Sequence, residues 1–258
     1  MTIHEYGDRK NPHILLIHGM WMCHEMMLPY VEKMRSEYHI IAPDLTGHGS
    51  DMGSFEGAEQ DAVQIGKWIA DHDIKTLDLM FSTSLGCVVA MYLVADSPWL
   101  TVKCSVLEGA ALTRMKGVEW MFRGMMGGMQ KHPEAAAKMY SAAEIDSDVM
   151  KKLSGSMGRT DKKALACMVH TCNSFKYEQS MLPADVQRRL FFEFGSRDSH
   201  IVCRKLIQKY YPEATITVRK GYGHCVYMFK HQEEYSDILK DYMRKSCLLY
   251  TSDAADEL

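Results

Sequence analysis

Short apolar runs alternate with longer amphipathic stretches along most of this chain. The runs His13–Ile17 (HILLI), Tyr38–Ala42 (YHIIA), Thr76–Phe81 (TLDLMF), Val102–Leu107 (VKCSVL), Leu190–Phe194 (LFFEF) and Thr215–Val218 (TITV) each end near Gly, Pro, Asp or Ser and predict strands. Between them, His24–Glu37, Glu59–His72, Leu85–Ala95, His200–Tyr210 and Gln232–Lys245 carry helical periodicity. Strands joined through helices cannot pair as hairpins, so the pattern predicts an α/β fold with a mainly parallel sheet flanked by helices on both faces. Ligands of such sheets sit beyond the carboxyl ends of the strands.

One interval breaks the alternation. From Thr113 to Pro183 no strand pattern occurs, and the stretches VEWMFRGMMGGMQ, EAAAKMYSAAEI and KKALACMVHTCNSF are helical. An insertion of this size between core strands is expected to lie over the strand ends as a helical cap. The expected division is therefore a core of residues 1–112 and 184–246, with a cap at 113–183. The end of the chain fits neither part. Residues 247–257, CLLYTSDAADE, have no hydrophobic period and resemble the translated read-through of a sequencing adapter, as in an open reading frame assembled from untrimmed metagenomic reads. Residues 247–258 are accordingly expected to be a non-native tail.

Composition narrows the classes of partner. At 258 residues the chain suits one large domain, and its formal charge of −3 carries no long single-sign block. Binding through neutralised nucleic-acid phosphates or through a polybasic membrane face is not expected. No signal sequence opens the chain and no segment offers about 18 uninterrupted apolar residues, so a cytoplasmic location without a membrane span is expected. The eight cysteines contain no CxxC pair, which argues against a disulfide scaffold or zinc site. No metal or organic cofactor is implied, and oligomeric state is not legible. The 21 methionines are numerous, and many lie between residues 115 and 168, where they suit either an adaptable apolar surface or ordinary core filling.

The strongest chemical signal is Phe81-Ser82-Thr83-Ser84-Leu85-Gly86, where a strand gives way to the apolar helix LGCVVAMYLVA. A sharp strand-to-helix bend lifts the serine out of the sheet, requires small neighbours on either side, and aims helix N-terminal N–H groups at developing negative charge. A serine capping an ordinary core helix is the plainer alternative. Ile17-His18-Gly19-Met20-Trp21 follows the first predicted strand, and a tight turn at Gly19 would direct the Met20 N–H toward the same point as that of Leu85, giving two oxyanion donors. Two later loops carry Asp198, in Phe194-Gly195-Ser196-Arg197-Asp198, and His224, in Gly221-Tyr222-Gly223-His224.

Serine, then acid, then histidine, each just past a strand, is the chain order of the α/β-hydrolase triad. With Pro43-Asp44-Leu45-Thr46-Gly47-His48-Gly49-Ser50 after the next strand, residues 13 to about 245 resemble a capped α/β-hydrolase. The elbow departs from the usual Gly-x-Ser-x-Gly in having Ser82 as its first small residue. The resemblance implies Ser84 as nucleophile, His224 as base, Asp198 as the acid orienting it, and Met20 and Leu85 as oxyanion donors. Glu108, at the end of VKCSVLE, is the rival acid, because some members place their carboxylate after that strand. His18 and His48 are expected to support their loops, and Cys23 and Cys225 to be buried thiols. Trp21, Met121 and Met125, with Phe122, Met126 and Met129, are candidate substrate contacts or simple helix packing.

The expected activity is that of a carboxylic-ester hydrolase on small to medium apolar acyl substrates, through an acyl-enzyme. The same triad serves lactones and thioesters. A hydrolase-like small-molecule binding protein without turnover and a cofactor-free oxidative or carbon–carbon cleaving enzyme are the other readings.

Overall fold

A computed structural model describes residues 1–115, 117, 119–132 and 147–256. The predicted helical stretch EAAAKMYSAAEI, residues 134–145, lies outside them. The central sheet has seven strands: β1 (Thr2–Tyr6), β2 (His13–Ile17), β3 (His39–Asp44), β5 (Leu79–Thr83), β7 (Ser105–Glu108), β8 (Leu190–Gly195) and β9 (Thr215–Arg219), ordered β1-β3-β2-β5-β7-β8-β9. All neighbours pair in parallel except β1 with β3. Parallel pairing explains why β2, β3, β5, β7 and β8 are almost wholly buried and read as continuous apolar runs.

Three details differ from the pattern along the chain. The edge strand β1 was not expected, because Thr2–Tyr6 mixes Ile3 and Tyr6 with polar residues and stays only partly buried. Its register with β3, Thr2 opposite Asp44 through Tyr6 opposite Ile40, gives it a ladder that the sequence does not announce. The run Thr76–Phe81 is also not one strand. Asp78 interrupts it, with its N–H on the His13 carbonyl at 2.8 Å and its carboxylate on Lys103 Nζ at 2.8 Å. The pieces on either side separate, so β4 (Thr76–Leu77) pairs with β6 (Thr101–Val102) in a small second sheet while β5 enters the main one, and the predicted strand Val102–Leu107 is divided in the same way, Val102 in β6 and Ser105–Leu107 in β7.

The core helices include α1 (Leu28–Met34), α2 (Ala58–Asp71) and α3 (Leu85–Asp96), and the insertion after β7 carries α4 (Glu119–Lys131), α5 (Ser147–Arg159) and α6 (Lys162–Asn173) among the described residues. After these come α7 (Ala184–Gln187), α8 (Arg204–Tyr210), α9 (Val226–Lys230) and α10 (Gln232–Asp256). Helix α3 is apolar all round and buried from Leu85 to Leu93, which suits its place against the sheet. Helix α1 has Pro29 in its first turn, where a missing N–H costs nothing. The ends of the helical insertion are tied together, since Thr113 Oγ1 donates to the Cys172 carbonyl at 2.6 Å and the Phe175 N–H to the Thr113 carbonyl at 3.1 Å. The backbone of α10 runs to Asp256 and so passes beyond the predicted helix end at Lys245.

Asp44 closes the loop after β3. Buried at the strand end, it accepts from the His24 N–H at 2.8 Å, His24 Nδ1 at 2.9 Å, the Ser50 N–H at 2.8 Å and Ser50 Oγ at 2.7 Å, and it contacts His4 Nε2 at 3.1 Å. Gly49 has φ +55°, and a Cβ there would fall 2.3 Å from Asp44 Cγ, so only glycine fits. Burial opposes the charge on Asp44, but the hydrogen bonds from His24 and Ser50 outweigh it and hold the carboxyl well below its usual range. A carboxyl whose folded pKa is lowered stabilises the fold above its unfolded value of about 4, and that contribution is lost as pH falls toward the folded value. Urea midpoints measured from pH 7 to pH 3 should therefore fall steeply below about 4. In Asp44→Asn the midpoint should already be low at pH 7, by the equivalent of about 2–4 kcal/mol, with a shallower further fall in acid. Equal pH profiles in the two proteins would contradict this role.

Candidate active site

The serine sits where β5 meets α3. Ser84 has φ 51° and ψ −117°, a backbone conformation that side-chain-bearing residues avoid, at a cost of about 1–3 kcal/mol. Neighbouring contacts hold it there. The Ser84 N–H donates to the Glu108 carbonyl at 2.9 Å. Gly86 lets α3 approach β2 so closely that a Cβ would lie 2.5 Å from the His18 carbonyl oxygen. Ser82, in the place of the usual glycine, is buried in β5 with Oγ 3.5 Å from Cys87 Sγ and from the Val106 carbonyl, so its hydroxyl is accommodated without reversing the bend.

Two loops bring the other groups to it. Asp198 follows β8 and His224 follows β9, and the loops are pinned by the Ser196 N–H on the Arg219 carbonyl at 2.9 Å and the Arg197 N–H on the Tyr222 carbonyl at 2.9 Å. His224 Nε2 lies 2.9 Å from Ser84 Oγ, while its Nδ1 lies 3.0 Å and 3.1 Å from the two Asp198 oxygens. Asp198 also accepts the His200 N–H at 2.8 Å. Burial works against its charge, but hydrogen bonds from His200 and His224 more than offset this and hold the carboxyl well below its usual range. An ionised Asp198 accepts the Nδ1 proton of neutral His224, which leaves the Nε2 lone pair facing the Ser84 hydroxyl.

Glu108 is placed differently. Its side chain is buried and accepts from Tyr235 Oη at 2.7 Å. Burial pushes its carboxyl up to about 8, with the Tyr235 hydrogen bond partly opposing the rise. The residue touches the elbow through its backbone carbonyl, and no hydrogen bond joins its carboxyl to His224 among the described residues.

The turn carrying Met20 lies directly against Ser84. A Cβ on Gly19 would be 3.1 Å from Ser84 Cβ, and Trp21, at φ 64°, bends the chain away again. Leu85 opens α3, where its N–H has no helical carbonyl to meet. His18 Nε2 accepts the Leu45 N–H at 3.0 Å, so Nδ1 carries the proton that goes to the Gly19 carbonyl at 2.8 Å; burial lowers its pKa to about 3, so the ring stays neutral and holds the turn. His48 Nδ1 lies 3.0 Å from the Thr46 carbonyl, and burial lowers its pKa to about 4. Cys23 and Cys225 are buried, which raises both thiol pKa values.

Above Ser84 and His224 lies a cavity of about 520 Å³. Seven methionines line it: Met20, Met22, Met115, Met125, Met126, Met129 and Met157. Trp21 lines it too, anchored by Nε1 on Thr160 Oγ1 at 3.1 Å. Phe122, Met125, Met126 and Met129 form one stripe of α4 at helical spacing, whereas Met121 lies off that stripe, half exposed and away from the lining. Arg197, Ser199 and His200 also line the cavity, and no motif in the sequence distinguishes them as contacts. Their only signal is position, beside Asp198 in a strand-end loop.

The profile of the alpha/beta hydrolase family matches residues 14–238. The chain belongs to the alpha/beta hydrolase family. Among characterised relatives, (E)-2-((N-methylformamido)methylene)succinate hydrolase of Acinetobacter baylyi is 30% identical over 113 residues, a match spanning 42% of this chain and 41% of that protein. Several solved hydrolases share the fold. An E-2-(acetamidomethylene)succinate hydrolase superposes with a TM-score of 0.73 at 16% identity, covering 94% of each chain. An esterase from Thermogutta terrifontis gives 0.71 at 15% identity over 95% of this chain and 93% of its own. An esterase from Rhodococcus sp. ECU1013 gives 0.73 at 16% identity over 94% of each chain. At these identities the likeness of the solved structures is one of fold. Within this hydrolase, no helix among the described residues is long and apolar enough to cross a membrane.

Proposed function

We propose that this alpha/beta hydrolase is a serine esterase cleaving carboxylic esters of small to medium apolar acyl groups through an acyl-enzyme. The observation that carries the reading is the unbroken hydrogen-bond chain from Ser84 Oγ through His224 to Asp198 at the floor of the methionine-lined cavity. In the proposed reaction Ser84 Oγ attacks the acyl carbon as its proton passes to His224 Nε2, and Asp198 stabilises the resulting imidazolium. The negative oxygen is met by the N–H groups of Met20 and Leu85. His224 then returns the proton to the leaving alcohol, and a water repeats the sequence to release the acid and restore Ser84. Residues 113–183 act as the cap, supplying the apolar wall that selects the acyl group.

A second reading follows from the relatives named as hydrolases of amidomethylene succinates. The same steps cleave an amide carbonyl when nitrogen leaves, so C–N substrates belong in the first panel with lactones and thioesters. Pre-steady-state hydrolysis of 4-nitrophenyl butanoate separates turnover from mere binding. A burst of one nitrophenolate per chain followed by slower release supports the acyl-enzyme. Saturable binding of the ester with neither burst nor turnover would point to the binding-protein reading instead.

A further inference from the structure

The cavity over Ser84 has an apolar wall and a polar rim, and the charge on that rim has one sign. Arg197 lines the cavity and is exposed. No Asp or Glu is among the lining residues. Asp198, next in the chain, is buried and engaged with His224 and the His200 N–H. Elsewhere Arg114 pairs with Glu178, Arg189 with Asp185 and Arg219 with Glu193, whereas among the described residues no carboxylate pairs with Arg197.

An unpaired surface arginine is ordinary, but three features make this one specific. Its backbone is fixed beside His224 by the Arg197 N–H on the Tyr222 carbonyl at 2.9 Å, and Gly195 allows the two loops to close, since a Cβ there would lie 2.2 Å from that same oxygen. Ser199, also exposed, offers a hydroxyl on the same rim. Much of the remaining lining is thioether and aromatic, and low polarity in the lining strengthens the field of a charge at the edge of a cavity. The His200 ring beside them sits 4.6 Å from that of His224, and burial lowers its pKa, so it adds no second cation near neutral pH.

We infer that Arg197, with Ser199, forms a subsite for a carboxylate carried by the substrate. The favoured substrates are then acyl compounds with an apolar portion against the methionine wall and one anionic carboxylate at the rim. A guanidinium suits this task because its planar donor fork matches a carboxylate, and it keeps its charge at every relevant pH. The inference rests on the hydrolase reading for the reaction, but its binding part can be tested without turnover.

Two measurements separate the two ideas. Calorimetric titration with adipate, against adipamide as the uncharged probe, is run on the wild-type chain and on Arg197→Gln and Arg197→Lys. Adipate should bind the wild type, lose about tenfold or more in affinity with Arg197→Gln, recover partly with Arg197→Lys, and weaken with added salt. Adipamide should show little dependence on residue 197. In parallel, the ratio of kcat/KM for monophenyl adipate to that for phenyl hexanoate should exceed one and fall about tenfold in Arg197→Gln. Adipate binding that fails in the wild type, or that stays within twofold in Arg197→Gln, overturns the subsite. Hydrolysis of both esters with an unchanged ratio does the same while leaving the esterase reading intact. Arg197-dependent adipate binding without cleavage of either ester supports the subsite and removes the esterase reading.

Discussion

Replacing Ser84 by Ala, or His224 by Gln, is expected to lower kcat by about 10⁵–10⁶-fold, and the double variant should be scarcely worse than either alone. The expectation follows from the 2.9 Å contact between Ser84 Oγ and His224 Nε2. A hydroxyl without a base at that distance is a poor nucleophile, and a base without the hydroxyl has no proton to take. Two groups acting as one unit give non-additive losses, whereas two groups acting separately would multiply them. Steady-state kinetics of the four proteins on one activated ester, each checked for folding by circular dichroism, reads this directly. Multiplicative losses would dissolve the proposed unit.

The second large effect concerns the acid. Asp198→Asn should reduce kcat by about 10⁴-fold with little loss of structure. An asparagine amide presents a donor to His224 Nδ1, which favours the tautomer with its proton on Nε2, so the ring meets Ser84 with a proton where a lone pair is needed. Glu108→Gln should change kcat by less than about tenfold, because the Glu108 carboxyl meets Tyr235 rather than His224. Its thermal stability near pH 8 should hold or rise. A buried carboxyl with folded pKa pushed up to about 8 disfavours folding increasingly from its unfolded value of about 4.3 up to about 8, and glutamine removes that cost. A ranking with Glu108→Gln far worse than Asp198→Asn would move the acid to Glu108.

Much of this was legible in the chain because buried parallel strands demand continuous apolar runs, and four of the six predicted strands entered the main sheet whole or nearly so. The other two, Thr76–Phe81 and Val102–Leu107, each split between the main sheet and the β4–β6 pair, the first at Asp78 and the second after Val102, where Lys103 Nζ meets the Asp78 carboxylate. Edge strand β1 escaped notice because partial burial on one side of a sheet needs few apolar residues. The positions of Ser84, Asp198 and His224 could be read because each lies just past a strand, where chain order alone brings them to one end of the sheet. Met121 shows where that kind of reading stops. Composition placed methionines in the insertion, but which of them face the cavity depends on the rotation of α4, and Met125 faces it while Met121 does not. Arg197 and Ser199 were silent for a related reason: exposed polar residues in a loop carry no period, and their meaning appears only when the cavity wall beside them is known.

The most direct test of Ser84 as an activated nucleophile is the intact mass of the wild-type chain and of Ser84→Ala after exposure to a fluorophosphonate, a reagent that phosphonylates a serine only when a base has activated it. One adduct per wild-type chain and none on Ser84→Ala is the predicted result. A folded wild-type chain that stays unmodified, or a Ser84→Ala variant labelled to the same extent, would contradict the account.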